Sequence, residues 1–345
     1  MHRLPSRPAW ILAGFLAGAL TVTLIRRVDG DRAQAEPAAE LPPKRDAEAA
    51  RPNAGGRVDA VMRNVRYLVD EDIALGILAL RGALLPAGDD SFPVFDDPAS
   101  FVIEVADGEV AIDTASLGRL LTRYVFAYEG SSLRDLRVSV KDGEIVQKGK
   151  LDKGIRLPFT IQSRLSVTPR GEIRLEPHKV EVLGMGVRRF MDLIGLELED
   201  LVRSNRARGV RIEEDIVYLN PSALLPPPAL RGRLRQVRVE PGGLVQVFGD
   251  GVDSVPRRKQ TNFMHFRHSR LRFGKLTMHD ADMLILDPDP GTPLEFSLDR
   301  YHAQLVAGYH VTTGTDGLVV YLPDASRVTG RTGGATPRRS SEQKN

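Results

Sequence analysis

Histidines and carboxylates gather near the carboxyl end, where His265, His268, His279, His302 and His310 stand among Asp280, Asp282, Asp287 and Asp289. Imidazole nitrogen and carboxylate oxygen are donors that divalent metals accept, and a bound ion would activate water for hydrolysis. On residue type alone a metal or hydrolytic site drawn from His279, Asp280, Asp282 and Asp287 is one reading. Spacing argues against it: on a strand Asp280 and Asp282 share a face while His279 points away, and Asp287-Pro288-Asp289-Pro290-Gly291 has the composition of a turn. Gly130-Ser131-Ser132 lacks the second glycine of a nucleophile elbow. Gly184-Met185-Gly186 lacks the third glycine and the lysine-serine ending of a phosphate loop. The expectation is therefore no catalytic residue, no metal and no cofactor.

A different kind of site is suggested by residues 155–167. Ile155, Leu157, Phe159, Ile161, Leu165 and Val167 share one face of an extended chain, while Arg156, Thr160, Gln162, Arg164 and Ser166 share the other. Alternation of this length predicts a strand about twice the usual size, wet on one side and apolar on the other. Its apolar face must meet a helix, another sheet or a bound hydrocarbon. Val180 and Val182 are expected opposite it, with a helix over 187–202 above, whose Phe190 and Ile194 belong to a stripe at spacings of three and four. The candidate lipid-binding lining is thus Ile155, Leu157, Phe159, Ile161, Leu165, Val167, Val182, Phe190 and Ile194; the competing reading is an ordinary filled core. Arg188 and Arg189 oppose the dipole of the helix they begin, and are read either as a solvated pair or as contacts for an anionic headgroup.

Composition narrows the class. The chain has 345 residues, 42% hydrophobic and 27% charged, enough for one large core or two ordinary ones. Its 48 Lys and Arg nearly cancel 45 Asp and Glu, leaving a formal charge of +3. Interspersed signs give no basic field, so nucleic acid is not an expected partner. The absence of cysteine excludes disulfides, thiolate zinc sites, a cysteine nucleophile and a lipid-modified cysteine.

At the amino terminus, residues 9–25 (AWILAGFLAGALTVTLI) form an uncharged apolar run between Arg3 and Arg7 on one side and Arg26 and Arg27 on the other. As a helix that run is about 26 Å long, enough for a thin bilayer. Ala33-Gln34-Ala35 offers a cleavage site, but two arginines separate it from the run, which favours a retained signal anchor over residues 1–27. Positive charge flanks both ends, so the positive-inside rule does not orient the span. The simplest arrangement is a single span in a bacterial inner membrane with a periplasmic body.

Residues 28–56, rich in Ala, Pro, Glu and Arg, read as a disordered tether, and 329–345 as a disordered basic tail. Between them, Val65, Tyr67 and Val69 lead to a polar corner at Asp70-Glu71-Asp72. IALGILALRGALL is read as a strand because Gly76 and Gly82 interrupt it. Phe101 to Ile112, with Asp107-Gly108 at its middle, reads as a hairpin. Asp113 caps a helix carrying Leu117, Leu120, Leu121, Tyr124 and Tyr128. A meander follows through Leu136, Val138 and Val140, the Lys141-Asp142-Gly143 turn and Ile145, then the long strand, the Pro169-Arg170-Gly171 turn and a strand from Ile173 to Leu183. Past the second helix come a short strand pair at 210–219, a proline-rich crossing, and strands at 234–239 and 244–248. Strand-like runs fill 263–322.

This order, with its KDGEI turn, long amphipathic strand, GEIRLEPHKVEVLG, helix and LNPSALLPPPALRGRLRQVRVEPGGLVQVFG, resembles the bacterial tubular lipid-binding (TULIP-like, LmeA-type) proteins over residues 133–250. The resemblance implies an α+β fold in which a long, curved, mostly antiparallel sheet wraps one or two helices and encloses an acyl chain. It implies a body over 57–250, followed by a β-rich block at 251–328 that it does not cover. Expected partners are a lipid or membrane surface and envelope proteins. The expected function is lipid binding or transfer without catalysis; the alternatives are a scaffolding component of an envelope complex and a metal-dependent hydrolase.

Overall fold

The computed structural model describes residues 56–88, 90–125, 133–152, 156–183, 210–213, 216–220, 228–314 and 317–329. They are mostly β, with a long curved sheet and few helices. Outside them lie the apolar run at 9–25, nearly all of the tether and tail, the helix expected over 187–202, and Ile155, Phe190 and Ile194. Among the described residues no helix is long and apolar enough to cross a membrane.

Three long strands open the chain: β1 (Val58–Asp70), β2 (Ile73–Pro86) and β3 (Phe101–Asp113). IALGILALRGALL is a strand, as its glycines suggest. Residues 101–112, however, are a single strand paired with β2 along its length. Asp107-Gly108 marks an irregularity in that pairing rather than a hairpin tip. Asp107 is buried, takes an ion pair from Arg81 and accepts the Asp250 N–H at 2.9 Å. Gly108 has φ 152°, and a Cβ there would lie 2.4 Å from the Ala79 carbonyl oxygen. The glycine serves close backbone approach between strands, which on sequence looks the same as a turn.

Asp113 ends β3 and caps α1 (Thr114–Leu120), its carboxylate accepting the Ser116 N–H at 2.7 Å. The helix continues as a wider turn over Leu121–Val125. A smaller, antiparallel sheet follows, built from β4 (Leu133–Lys141), β5 (Glu144–Asp152), β6 (Arg156–Val167), β7 (Ile173–Val182), β8 (Val210–Glu213) and β9 (Ile216–Leu219), in the order β4-β5-β6-β7-β9-β8. Asp142 and Gly143 join β4 to β5 with φ of 54° and 75°. Two positive φ values are what a tight turn matching strand twist requires.

The chain then returns to the first sheet. β10 (Ala229–Gly232) lies parallel to β3; β11 (Leu234–Glu240) and β12 (Gly243–Phe248) form a hairpin whose second strand pairs with β3. Sheet membership does not break at residue 250. β13 (Phe263–Arg267) pairs with β1, and a small hairpin of β14 (Leu271–Phe273) and β15 (Leu276–Met278) precedes β16 (Asp282–Leu286). Then come β17 (Leu294–Phe296), α2 (Tyr301–Ala307), β18 (Tyr309–Thr312) and β19 (Leu318–Tyr321). The large sheet runs β11-β12-β3-β2-β1-β13-β16-β19-β18, with β10 beside β3 and β17 beside β1.

Two large apolar clusters result among the described residues. One joins the small sheet and α1 to one end of the large sheet through Leu117, Leu120, Ile73, Ile112 and Leu244. The other lies on the large sheet, where Phe95 meets Phe266, Phe273 and Phe296 edge-on with ring centroids 5.0 to 6.4 Å apart.

Candidate functional site

The inner face of the small sheet is built in cross-strand rows, because directly opposed residues of antiparallel strands share a face. Leu133, Leu151 and Leu157 make one row. In the next, Gly149 stands opposite Phe159, which in turn pairs with Val182; a Cβ at Gly149 would sit 2.7 Å from both Leu136 and the Phe159 ring. The missing side chain makes room for the phenyl ring to lie across β5. A further row runs Val138, Gln147, Ile161, Val180, and beside it Val140, Ile145, Ser163.

The expected lining divides along this face. Leu157, Phe159 and Ile161 are buried and belong to the cluster with α1. Leu165 and Val182, with Val180, pack only partly buried against that cluster, and Leu183 beyond them is 74% exposed. Val167 packs instead against the large-sheet core with Ile173. The opposite face is wet and charge-paired: Lys150 reaches Asp135 at 2.6 Å, Arg164 reaches Glu144 at 2.9 Å and Lys179 reaches Glu181 at 2.8 Å. Burial pushes the Glu144 carboxyl up, but Arg164, Gln162 and His178 together hold it below the ordinary range. A cleft of about 170 Å³ among Arg134, Asp135, Lys150, Asp152 and Arg156 is lined by charge and unsuited to hydrocarbon.

Two residues on the inner face were passed over in the sequence. Gln147 and Ser163 have the parity of their apolar neighbours, and both are fully buried. Among the described residues the Gln147 amide nitrogen and oxygen and the Ser163 hydroxyl have no hydrogen-bond partner. Leaving such groups unmet costs about 1–3 kcal/mol each. The signal was present: odd-numbered positions of β5 and β6 face inward, and these two are polar.

The histidines and carboxylates of the last block are dispersed rather than convergent. His265 contacts Asp282 at 2.8 Å, His268 contacts Asp59 at 3.0 Å, and His279 accepts from Arg270 at 3.0 Å. Asp280 is exposed, whereas Asp287 organises its own turn by accepting the Asp289 N–H at 2.7 Å. Burial pushes the Asp287 carboxyl above its ordinary range. Among the described residues no three His, Asp or Glu side chains converge as a metal site needs.

One polar triangle was not anticipated. The Tyr301 hydroxyl donates to Asp96 and accepts the Gly274 N–H at 3.2 Å, while His302 Nε2 lies 2.9 Å from that hydroxyl and 2.6 Å from the Asp96 carboxylate. Tyr301 is fully buried against Phe95 and Phe273. Burial, reinforced by Asp96, drives its pKa far upward, so the phenol stays protonated and serves as a hydrogen-bonding strut between Asp96 and the Gly274 N–H.

No family model matches the chain, and no curated protein or solved structure matches it.

Proposed function

We propose that this protein binds or transfers lipid on the inner face of the small sheet, held at a bacterial inner membrane by its amino-terminal apolar run, with the body on the periplasmic side and no catalytic step. The observation that carries this reading is the uneven cover across the inner face from β6 to β7. On β6 Leu157, Phe159 and Ile161 are enclosed, whereas their β7 neighbours Val182 and Val180, paired with Phe159 and Ile161, are only half-covered, as is Leu165 farther along β6. An acyl chain laid along Val180 and Val182 would bury apolar area at about 25 cal/mol per Å². The likeness of 133–250 to tubular lipid-binding proteins belongs to the same proposal, as does a sheet wrapped around helices to enclose the chain. Its described strands divide between sheets, those within 133–182 and 210–219 entering the small one and those within 229–248 the large one.

Lipid extraction from gently purified protein, read by mass spectrometry, tests the proposal. A bound lipid at near-stoichiometric level is expected, and Val182→Asp should remove it while leaving the fold intact. Absence of lipid from the wild type would refute the reading.

A scaffolding role is favoured by a separate observation. Among the described residues β18 ends the large sheet with all four of its residues exposed, Tyr309 and Val311 among them, and it follows α2, whose Val306 is 88% exposed. An uncovered edge with apolar side chains suits strand addition by a protein partner. Cross-linking that returns one stoichiometric protein, and no lipid, would establish this reading in place of the first.

A further inference from the structure

We infer that Gln147 and Ser163 form a neutral polar subsite that recognises the ester group of a lipid lying along the small sheet. The inference rests on the lipid-binding reading and specifies which chemical class of lipid is held. Elsewhere in the described residues, several buried polar side chains are met. Ser100 donates to the Val94 and Asp97 carbonyls, Ser116 bonds Asp113 and the Ala74 N–H, and Asn262 bonds Asn64 and the Pro290 carbonyl. Among the described residues the unmet buried side-chain atoms are three on Gln147 and Ser163 and Arg63 Nε, whose guanidinium still donates to the Val255 carbonyl. A fold that bonds most of its interior polar side chains has left two adjacent ones with no partner on the face that points away from water.

The pair is set by register. Gln147 opposes Ile161 and Ser163 opposes Ile145, so the two are diagonal neighbours on one face of β5 and β6. Diagonal positions stand roughly 7–8 Å apart along the backbone, close enough for both side chains to reach one small group. Glutamine offers two N–H donors and one acceptor, serine one of each. Neither carries charge, and their cross-strand neighbours Val138, Ile145 and Ile161 are apolar. A phosphate would lose its hydration here without a compensating cation. An ester suits the site: its carbonyl and alkoxy oxygens accept two hydrogen bonds, it is neutral, and hydrocarbon continues on either side of it. Charged headgroups would remain outside, beyond the half-covered Val180 and Val182.

Binding of monoolein and of its ether analogue, oleyl glyceryl ether, to the full-length protein in mild detergent tests this. The two differ only in the carbonyl. The wild type should prefer the ester about tenfold, the effect of one hydrogen bond in a dry site. In the Gln147→Leu/Ser163→Ala double variant the preference should collapse to within about twofold. A wild type that binds both equally, or a double variant that keeps the preference, overturns the inference and leaves lipid binding standing, with the pair holding a buried water only. A wild type that binds neither and carries no extractable lipid ends both. Because the ester-to-ether ratio is read on the wild type, the outcome does not hinge on the variant folding; its unfolding curve and near-ultraviolet dichroism check that separately.

Discussion

Gln304 on α2 and Gln147 on β5 are both fully enclosed, yet the first has every polar atom bonded and the second has none bonded among the described residues. The Gln304 amide donates to the Glu295 and Pro323 carbonyls, each at 2.8 Å, and accepts the Ser297 N–H at 3.2 Å. It ties β17, α2 and the segment after β19 into one piece. Glu295 extends the tie by pairing with Arg66 on β1 and accepting the Ser326 N–H at 2.6 Å. In the large sheet, then, a buried polar side chain supplies backbone partners that secondary structure does not. In the small sheet the buried Gln147 side chain makes no hydrogen bond among the described residues and leaves its hydrogen-bonding capacity unspent. Buried polar groups of the first kind stabilise; those of the second kind are retained at a cost, which is the pattern expected of a binding surface.

The largest expected effect tests that contrast directly. Gln304→Leu strands three backbone groups and should cost roughly 3–5 kcal/mol in urea unfolding. Gln147→Leu should cost nothing and gain up to about 1 kcal/mol in lipid-free protein. Equal losses at the two sites would break the comparison. Next comes Phe159→Ala, which opens a cavity over Gly149 and should cost about 3–4 kcal/mol. A loss that shrinks when lipid is added would sharpen the case for hydrocarbon on this face. Smaller still is Asp113→Ala, which removes the cap of α1 and should cost about 1 kcal/mol by the same measurement. A null result there would detach α1 from the stability of the shared core.

The smallest effect is a pH slope in the large sheet. Burial holds the His265 imidazole below its ordinary pKa, although Asp282 opposes the shift. The unfolded chain therefore takes up a proton first as pH falls through about 6.5. The stability His265 contributes is complete above that pH and is lost progressively below it. His265→Gln should flatten this part of the stability profile between pH 7 and 5. An unchanged slope would assign it to other groups.

Local signals were read well where neighbours in sequence are neighbours in space. The Asp142-Gly143 turn needs positive φ at both residues, the Asp113 cap needs only the N–H three residues on, and the alternation of β6 follows from the pleat alone. The Asp107-Gly108 reading failed because a glycine that lets two strands approach and a glycine that turns a chain leave the same trace. Ser163 and Gln147 were legible by parity, but their meaning was not: whether a buried amide is satisfied depends on carbonyls and N–H groups that arrive from other elements, as they do at Gln304 and do not at Gln147.

By itself, then, the order of residues determined the long amphipathic strands, their tight turns and the side of each that shuns water, since these rest on backbone geometry and the transfer of side chains from water. Tertiary structure alone decided that β13, nearly two hundred residues away in sequence, would pair with β1, and that Val167 would leave the lining for the other core. Strand edges carry the same N–H and carbonyl groups whatever their sequence, so the choice of partner is made by which apolar faces can be buried together once the whole chain has collapsed.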